Sequence, residues 1–481
     1  MTPTLDIDTT IEQLGSDQLA ELGRRLYEIA PDAEASAPLS RVRIDELAEI
    51  DEPDNQQRAE ITALAAWIDA RQELLTAAYP GPTPPFNHLS GFWSNFFNGP
   101  RNGDPFPRGP FPELRTKLLD FELSFPFGVP ACALTPRSEY IDYFATRGFD
   151  LLTFKTVRDR PWDPHPFPQW GFAPEIDSPL DPSQLSDRFY PTLDQGKVGD
   201  LGRASLVNSF GVPSVAVDRW KSDVEESKRA LSASQVLIVS VMGSPEQSAD
   251  DGELVEQFAR TAAHAQEAGA DIIEVNLSCP NTGGELICSD AEQSRRVVEA
   301  VRRETGGRTP IFIKISYLDR PALTALVKEC QGYIQGIVAI NAVPVTVLQR
   351  SGVEFFPARP NDKAGLSGVG IRDLGLSVAR DLVELRESHG ADADDWVIVG
   401  VGGVASPEDF ESYRGLGVDA VQSCSGAWLN HRLALEIRER FGSGNKTRLW
   451  LGGVFRDALA GYRSGGVSLV TRPDAGDRPD K

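Results

Sequence analysis

Short apolar runs alternate with amphipathic stretches of helical length along the chain from about residue 125 onward. The runs are rich in β-branched residues, which is typical of strands buried on both faces of a parallel sheet. Eight such units favour an α/β fold whose sheet closes into a (β/α)8 TIM barrel, because closure removes both sheet edges. The runs are FGVPACA (127–133), LLTFKT (151–156), VLIVSVMG (236–243), DIIEVNLSC (271–279), IFIKIS (311–316), GIVAIN (336–341), WVIVGVGG (396–403) and VDAVQSCS (418–425). Long gaps after the second and sixth runs are predicted to be loop insertions.

The chain before the barrel has a different pattern. Residues 1–80 are acidic and space their apolar residues at three and four, which predicts amphipathic helices. Residues 81–122 are so rich in Pro and Gly that we predict an irregular segment, and their many aromatic side chains predict that it packs on the barrel. The barrel itself is assigned to residues 123–442, followed by a last helix and polar tail over 443–481.

Composition limits the partners of the chain. Its 481 residues exceed the roughly 250 that such a barrel needs. Its net charge of -22 repels phosphate backbones and anionic lipid, so we expect neither nucleic-acid nor membrane binding. No apolar run reaches about 18 residues, and the first residues, MTPTLDIDTT, lack the basic and apolar start of a secretory signal. A cytoplasmic protein is therefore expected.

Cysteine and histidine usage gives no sign of a metal site. The five cysteines are odd in number and widely scattered, which favours free thiols in a reducing compartment. They form no CxxC pair, and the five histidines have no metal-ligand spacing. We therefore expect no bound metal.

Polar residues collect where the predicted strands end. The carboxyl ends of barrel strands share one rim, where the active sites of such barrels are built, so this clustering predicts a ligand site. The residues at these ends are Lys155, Asn276, Lys314, Asn341, Gly402, Gly403, Cys424 and Ser425.

The lysines and glycines at this rim suggest an anionic ligand. A buried lysine must meet an anion or lose its proton, and one alone could simply belong to an internal ion pair. Two at one rim, Lys155 and Lys314, favour an anionic cofactor and substrate that share the site. The GVGG at 400–403 and SCSG at 423–426 are either tight turns or loops that bind phosphate through backbone N–H groups.

The loop NLSCPNTGG (276–284) follows the fourth predicted strand. Its cysteine, Cys279, lies between Asn276 and Asn281. A thiol can act as a base once its surroundings favour the thiolate, whereas a purely structural cysteine would fill a core position. Asparagine side chains offer both a donor and an acceptor, which suits the N–H and C=O edge of a pyrimidine-like ring.

NLSCPN together with NSFGVP (208–213) resembles class 1 dihydroorotate dehydrogenases and the related catalytic domain of dihydropyrimidine dehydrogenase. The pieces FKT, IKIS, IN, GVGG and QSCS agree with that family in their order, and the resemblance covers roughly residues 120–442. It implies a soluble enzyme that uses FMN. The family's habit of dimerising implies a homodimer.

The resemblance also implies residue roles. Cys279 would remove a proton from C5 of a dihydropyrimidine while hydride leaves C6 for the flavin, and Lys155 would neutralise the substrate carboxylate and touch the flavin. The substrate ring would be held by Asn208, Asn276, Asn281 and Asn341, with backbone groups at Gly211 and Val212. FMN would be held by Ala133, Lys155, Thr156, Asn276, Lys314, Asn341, Gly368, Gly402, Gly403, Cys424 and Ser425.

Three departures from the family leave the substrate open. Ala342 stands where the family usually has serine, Cys424 where glycine is common, and ACALTP (131–136) where a small Ala-Ser-Gly turn is usual. The expected reaction is oxidation of dihydroorotate to orotate in pyrimidine biosynthesis. The alternatives are oxidation or reduction of another dihydropyrimidine, cyclic amide or enone in specialised metabolism, or a flavin-barrel binding protein without turnover. No GxGxxG follows a predicted strand, so NAD would act only through a partner flavoprotein.

Overall fold

The computed structural model describes residues 23, 39, 41–48, 54–69, 85–86, 91–100, 106, 109–278, 286–350, 352, 354–356, 363–388 and 396–442. The strands of this part of the chain are β1 (Thr116–Leu118), β2 (Phe121–Leu123), β3 (Phe127–Val129), β4 (Leu151–Val157), β5 (Trp170–Phe172), β6 (Arg188–Phe189), β7 (Ser205–Asn208), β8 (Val236–Val241), β9 (Ile272–Asn276), β10 (Ile311–Ile315), β11 (Gly336–Ala339), β12 (Val343–Val347), β13 (Lys363–Gly368), β14 (Val397–Val401) and β15 (Ala420–Gln422).

The α-helices are α1 (Arg41–Ala48), α2 (Asn55–Asp69), α3 (Phe92–Asn98), α4 (Ser138–Ala145), α5 (Val217–Ala230), α6 (Asp251–Glu267), α7 (Ala291–Thr305), α8 (Arg320–Cys330), α9 (Arg372–Ser388), α10 (Pro407–Leu416), α11 (Ser425–Leu429) and α12 (Leu433–Phe441). Short 3₁₀ helices cover Pro182–Ser186, Gln195–Lys197, Leu201–Arg203, Pro245–Gln247, Ile287–Ser289 and Val369–Ile371.

Eight parallel strands close into a barrel in the order β3-β4-β8-β9-β10-β11-β14-β15, and β15 pairs back to β3. Each strand coincides with one of the eight apolar runs of the sequence to within one residue, so the predicted (β/α)8 TIM barrel is confirmed. The barrel interior is filled by one apolar cluster, which the β1–β2 hairpin extends through its own leucines. This cluster includes Leu118, Leu123, Leu151, Val236, Ile238, Ile272, Phe312, Val338, Val399 and Ala420.

Capping residues fix where the outer helices begin. Asp250, Asp290 and Asp319 each accept a backbone N–H from the first turn of α6, α7 and α8. Such caps satisfy N–H groups that have no partner within the helix, at about 1 kcal/mol each. The helix α7 ends at Gly306, whose φ of 64° is the left-handed conformation usual after a helix. Because the outer helices begin and end at these residues, the loops that follow the strands lie together at one end of the barrel.

A second sheet is built from the two long insertions, after β4 and after β11. It has five strands in the order β5-β7-β13-β12-β6. The sequence predicted the insertions but not their strands, because runs such as WGF in β5 are too short to give a pattern. In this sheet Asn208 pairs with Gly365, and Ser205 pairs with Gly368. The sheet therefore ties the two insertions together.

The aromatic segment is partly helical, so the prediction of an irregular segment is wrong for Phe92–Asn98. This stretch, FWSNFFN, contains neither Gly nor Pro and is bounded by Gly91 and Gly99. Phe86, Phe92 and Phe96 are buried in the main hydrophobic core together with barrel residues. Trp428 of α11 also donates a hydrogen bond of 2.7 Å from Nε1 to the Phe86 carbonyl.

The chain before Phe86 is described at two helices, α1 and α2, within the region predicted to be helical. Ile44, Leu47 and Leu64 are buried, and the Arg43 Nε atom lies 2.7 Å from Glu60 Oε2. The predicted tail over 443–481 lies outside the described residues. In the described ranges no helix combines the length and the apolar character needed to cross a bilayer.

Candidate active site

A cavity of about 970 Å³, part of it open to solvent, lies where the barrel strands end. Thirteen residues that the sequence predicted for the site line it: Ala133, Lys155, Thr156, Asn208, Val212, Asn276, Lys314, Asn341, Gly368, Gly402, Gly403, Cys424 and Ser425. They come from seven barrel strands or the loops after them, and from β7, the loop after it and β13 of the second sheet. The fold therefore gathers around one space residues that are far apart in the sequence.

Lys155 lies in β4 with 7% of its surface exposed. Its Nζ donates to the Pro213 carbonyl at 3.1 Å and to the Thr156 carbonyl at 3.3 Å. The ammonium also lies 5.5 Å from the centre of the Phe92 ring, so the aromatic segment contributes to its surroundings. These carbonyl oxygens and the ring face stabilise the Lys155 ammonium at the cavity wall.

Lys314 of β10 is only 2% exposed and reaches the same cavity. Its charged neighbour is Glu274 of β9, which is fully buried two residues before Asn276. Burial raises the pKa of the Glu274 carboxyl, and the charge of Lys314 and a hydrogen bond with Ser240 oppose this rise. Because a carboxyl with a raised pKa offers less negative charge, Lys314 keeps much of its attraction for an anionic ligand.

The asparagines form a network across three strands. Asn276 Nδ2 donates to Thr156 Oγ1 at 3.2 Å, and Asn341 Nδ2 donates to Ser278 Oγ at 3.1 Å. Ser278 Oγ in turn donates to Asn276 Oδ1 at 3.3 Å. These bonds fix the orientation of both amides at the cavity wall, as recognition of a polar ring requires.

The loop after β7 approaches the cavity in an unusual conformation. Gly211 and Val212 have φ values of 74° and 52°, and a β-branched residue such as Val212 rarely adopts a positive φ. The buried guanidinium of Arg158 holds this turn by donating at 3.1 Å to the carbonyls of both residues. Val212 lines the cavity, whereas Gly211 shapes the turn beside it. Asn208 Nδ2 donates to the Gly365 carbonyl at 3.1 Å.

The glycine loops bring backbone close to the cavity. Gly402 and Gly403 have φ values of 131° and 67°, and a Cβ atom on Gly403 would lie 2.5 Å from the Arg372 Cβ. A Cβ on Gly368 would lie 2.2 Å from the Ala204 carbonyl oxygen. A side chain would be strained or would clash at these positions, so glycine lets the backbone of the loops form part of the cavity wall.

Several lining residues were not predicted from the sequence. Gln422 donates from Nε2 to Thr153 Oγ1 at 2.9 Å, while its buried Oε1 has no partner among the described atoms. Cys132 lies beside Cys424, and each thiol shifts the pKa of the other. The sequence did contain a signal that Gln422 could line the site, because it is a polar residue inside an apolar run, directly before Ser423. The others in this group are Pro130, Ala131, Trp170, Phe210, Ile340, Ala342, Ser367, Ile371, Val401, Val404 and Ser423.

Two central predictions, Cys279 and Asn281, fall in residues 279–285, outside the described part of the chain. The described residue before this stretch is Ser278, which is fully buried and bonded to Asn341. The roles of Cys279 and Asn281 therefore remain predictions.

The fold and the cavity together define a β/α-barrel protein with two buried lysines at a cavity where the strands end. Comparison with known proteins narrows this class: the family model for dihydroorotate dehydrogenase matches residues 197–441. The chain belongs to the dihydroorotate dehydrogenase family, whose enzymes are flavoproteins.

The relatives divide among several enzyme types. The chain is 26% identical to dihydroorotate dehydrogenase of Dictyostelium discoideum over 340 residues. These residues cover 67% of this chain and 87% of the relative. It is 31% identical over 230 residues to the catalytic subunit of dihydroorotate dehydrogenase B (NAD(+)) of Methanocaldococcus jannaschii, over 46% of this chain and 67% of the relative. It is 30% identical over 200 residues to the NAD-dependent dihydropyrimidine dehydrogenase subunit PreA of Escherichia coli, over 40% of this chain and 44% of the relative. These names support an oxidoreductase like dihydroorotate dehydrogenase.

Proposed function

We propose that the protein is an FMN-dependent oxidoreductase that oxidises dihydroorotate to orotate. The observation that carries the proposal is the meeting of two buried lysines, Lys155 and Lys314, with Asn276 and Asn341 around one cavity. Two cations in one cavity suit two anionic groups, here the reduced flavin and the substrate carboxylate. The amides suit the alternating N–H and C=O groups of a dihydropyrimidine ring.

Features of the cavity support FMN as the cofactor. Gly402 and Gly403, with Cys424 and Ser425, would bind the phosphate through backbone N–H groups. Lys314 would stabilise negative charge on the reduced ring, and the unpaired Gln422 Oε1 offers an acceptor for an N–H or O–H group of the ligand. When bound, FMN supplies the acceptor for the hydride that leaves C6 of the substrate.

The substrate side of the site would act through Lys155, the asparagines and Cys279. The Lys155 ammonium would bind the carboxylate of dihydroorotate, and Asn208, Asn276, Asn281 and Asn341 would hold the ring amides. With the ring held, the Cys279 thiolate would take the proton from C5. Loss of that proton and of the C6 hydride leaves the C5=C6 double bond of orotate. The second sheet, which carries Asn208, would limit the access of water.

The electron acceptor belongs to the proposal as well. No GxGxxG follows a strand in this chain, so we propose that NAD does not bind it directly. Reoxidation would then use fumarate, another small acceptor or a partner flavoprotein.

One residue favours a second candidate function, the oxidation or reduction of another dihydropyrimidine or cyclic amide. Ala342 lines the cavity next to Asn341, where related enzymes usually carry a serine hydroxyl. Loss of that hydroxyl would weaken the binding of a polar substrate group at this position. A substrate such as dihydrouracil, which lacks the carboxylate, is the natural comparison.

Anaerobic flavin reduction distinguishes the two candidates. The purified flavin-bound protein is mixed with dihydroorotate or dihydrouracil, and loss of the visible flavin band is followed with time. Faster reduction by dihydroorotate supports the first proposal, and faster reduction by dihydrouracil supports the second. If neither compound reduces the flavin, and orotate and uracil do not reoxidise it, both candidates are contradicted.

A further inference from the structure

Two thiols meet at the wall of the cavity. Cys132 follows β3 and Cys424 follows β15, and these strands are neighbours in the barrel. The pairing of Gln422 with Gly128 and the 3.0 Å bond from Ser423 N to the Gly128 carbonyl place the two loops side by side. The two thiols lie close enough for each to shift the pKa of the other, and both residues line the cavity.

We propose that Cys132 and Cys424 are a redox-active pair that forms a reversible disulfide in response to a peroxide. The inference adds a modification site to the proposed function. Its chemistry needs only the two thiols and a peroxide, whereas the shielding effect of FMN described below rests on the proposed cofactor site.

The two cysteines differ in a way that gives each a role. Burial opposes ionisation of Cys132, but the hydrogen bond from Cys424, the Leu134 N–H and the charges of Lys314 and Lys155 lower the pKa of this thiol. The pKa of Cys424 is raised, first by its hydrogen bond to Cys132 and then by burial. Because the thiolate is the nucleophile, Cys132 attacks and Cys424 resolves.

The steps balance with a hydroperoxide as the oxidant. With hydrogen peroxide, the Cys132 thiolate attacks one peroxide oxygen and the O–O bond breaks. The proton released when the thiol ionised joins the departing hydroxide, so a sulfenic acid and water form. The Cys424 sulfur then attacks the Cys132 sulfur, the S–O bond breaks, and a second water leaves as the disulfide forms. Two electrons pass from the two sulfurs to the peroxide, and a dithiol reverses the reaction.

The other described cysteines do not share these properties. Cys288 and Cys330 are buried, and burial raises the pKa of their thiols to about 11 and about 12. Both are therefore poor nucleophiles at neutral pH and serve as internal references for any oxidation experiment.

The experiment uses the full chain with Cys279→Ala, so that the thiol of that loop does not contribute. Flavin-free protein is treated with hydrogen peroxide, remaining thiols are alkylated, and unreduced peptides are analysed by mass spectrometry. We expect a Cys132–Cys424 cross-linked peptide, a loss of about two free thiols per chain and full reversal by dithiothreitol. If both cysteines stay alkylatable, or if either pairs mainly with Cys288 or Cys330, the inference is wrong.

Two matched variants assign the roles. In Cys424→Ser, the sulfenic acid of Cys132 should persist and react with dimedone, because no resolving thiol remains. In Cys132→Ser, Cys424 should stay reduced at the same peroxide dose. Equal dimedone labelling of both variants would overturn the assignment of Cys132 as the attacking thiol.

Repeating the oxidation with saturating FMN tests whether Cys132 and Cys424 lie at the proposed cofactor site. Because both thiols line the cavity, bound FMN should shield them and slow cross-linking. Equal rates with and without bound FMN would contradict the proposed cofactor position while leaving the disulfide intact. Absence of the cross-link from flavin-free protein would overturn the disulfide and leave the proposed function untouched.

Discussion

At the scale of single residues, position on a strand decides which side chains can reach a ligand. Side chains alternate between the inside and the outside of a barrel, so residues two apart share a face. Glu274 and Asn276 follow this rule on β9: Asn276 reaches the cavity, and Glu274 lies deeper in the barrel near Lys314. Two residues along one strand thus separate an amide at the cavity wall from a buried carboxyl beside Lys314.

Replacing Lys314 by methionine should make the bound flavin harder to reduce. Lys314 is proposed to stabilise negative charge on the reduced ring, so its loss should lower the flavin reduction potential by about 30 mV or more, equivalent to about 1.4 kcal/mol. The potential is measured by equilibration with a reference dye. Lys328→Met, on the exposed face of α8, is the matched control. Equal potentials in both variants would show that Lys314 does not act on the flavin.

Replacing Cys279 by alanine should leave the protein yellow but slow flavin reduction by dihydroorotate by about 10²–10⁴-fold, the usual contribution of a general base. Cys279→Ser should retain partial activity that rises with pH, because a hydroxyl is a poorer base than a thiol. Stopped-flow reduction under anaerobic conditions measures both. Parent-like rates in Cys279→Ala would mean that another group takes the proton.

Site residues could be predicted from the sequence where a polar side chain interrupts the end of an apolar run. Lys155, Asn276 and Lys314 were found in this way, and the cavity contains all three. Arg158 was missed because it acts on the backbone of a turn that is distant in sequence. Cys132 was counted with the other cysteines, but its pairing with Cys424 depends on the closure of β15 onto β3.

At the scale of elements, the length of a strand or helix decided whether it could be predicted from the sequence. The barrel strands lie in apolar runs of six to nine residues, long enough to show a pattern. The strands of the second sheet have two to six residues, and their pairing joins insertions that are more than 100 residues apart, as Asn208 and Gly365 show. The helix α3 was missed because the Pro and Gly around it dominate the composition, and its seven residues, FWSNFFN, are not strong helix formers. Local composition therefore predicts elements formed by residues that are close in sequence, but it predicts pairing between distant strands poorly.

Asp223 on α5 should make stability depend on pH. It is 2% exposed, and burial raises its pKa to about 6 despite Arg219. Because the folded state then binds its proton more tightly than the unfolded state, the free energy of unfolding should fall as pH rises from about 4 to about 6. In Asp223→Asn this fall should be absent, which makes the variant more stable than the parent by about 1–3 kcal/mol at neutral pH.

Urea unfolding at pH values on both sides of this range measures the effect. Glu225→Gln removes an exposed charge from the same helix and is the control. A parent protein whose free energy of unfolding rises with pH over this range, or an Asp223→Asn variant less stable than the parent at neutral pH, would contradict the prediction.

At the scale of the whole molecule, the aromatic segment is part of the barrel's core. Phe86, Phe92 and Phe96 are buried with barrel residues, and Phe92 also contacts the Lys155 ammonium. The sequence predicted this packing from the number of aromatic side chains, because so many exposed rings would be costly in water. No comparable feature of the sequence predicted whether residues 1–80 pack on the barrel.

A matched pair of truncations tests this organisation. A chain that starts at residue 106 lacks three buried phenylalanines, and each such loss costs about 3–5 kcal/mol, so we expect it to be insoluble or strongly destabilised. A chain that starts at residue 81 keeps all three and should unfold at the urea concentration of the full chain's barrel. Equal stability of the two truncated chains would show that the aromatic segment does not support the barrel.

The most direct test of the account is an equilibrium titration of the flavin-free full chain with FMN and, separately, with riboflavin, followed by flavin fluorescence. Because the glycine loops are proposed to bind the phosphate, we predict one FMN per chain and an affinity at least about a hundredfold above that of riboflavin, or about 2.8 kcal/mol. Failure of FMN to bind, or equal affinities for the two flavins, would contradict the assignment of this cavity.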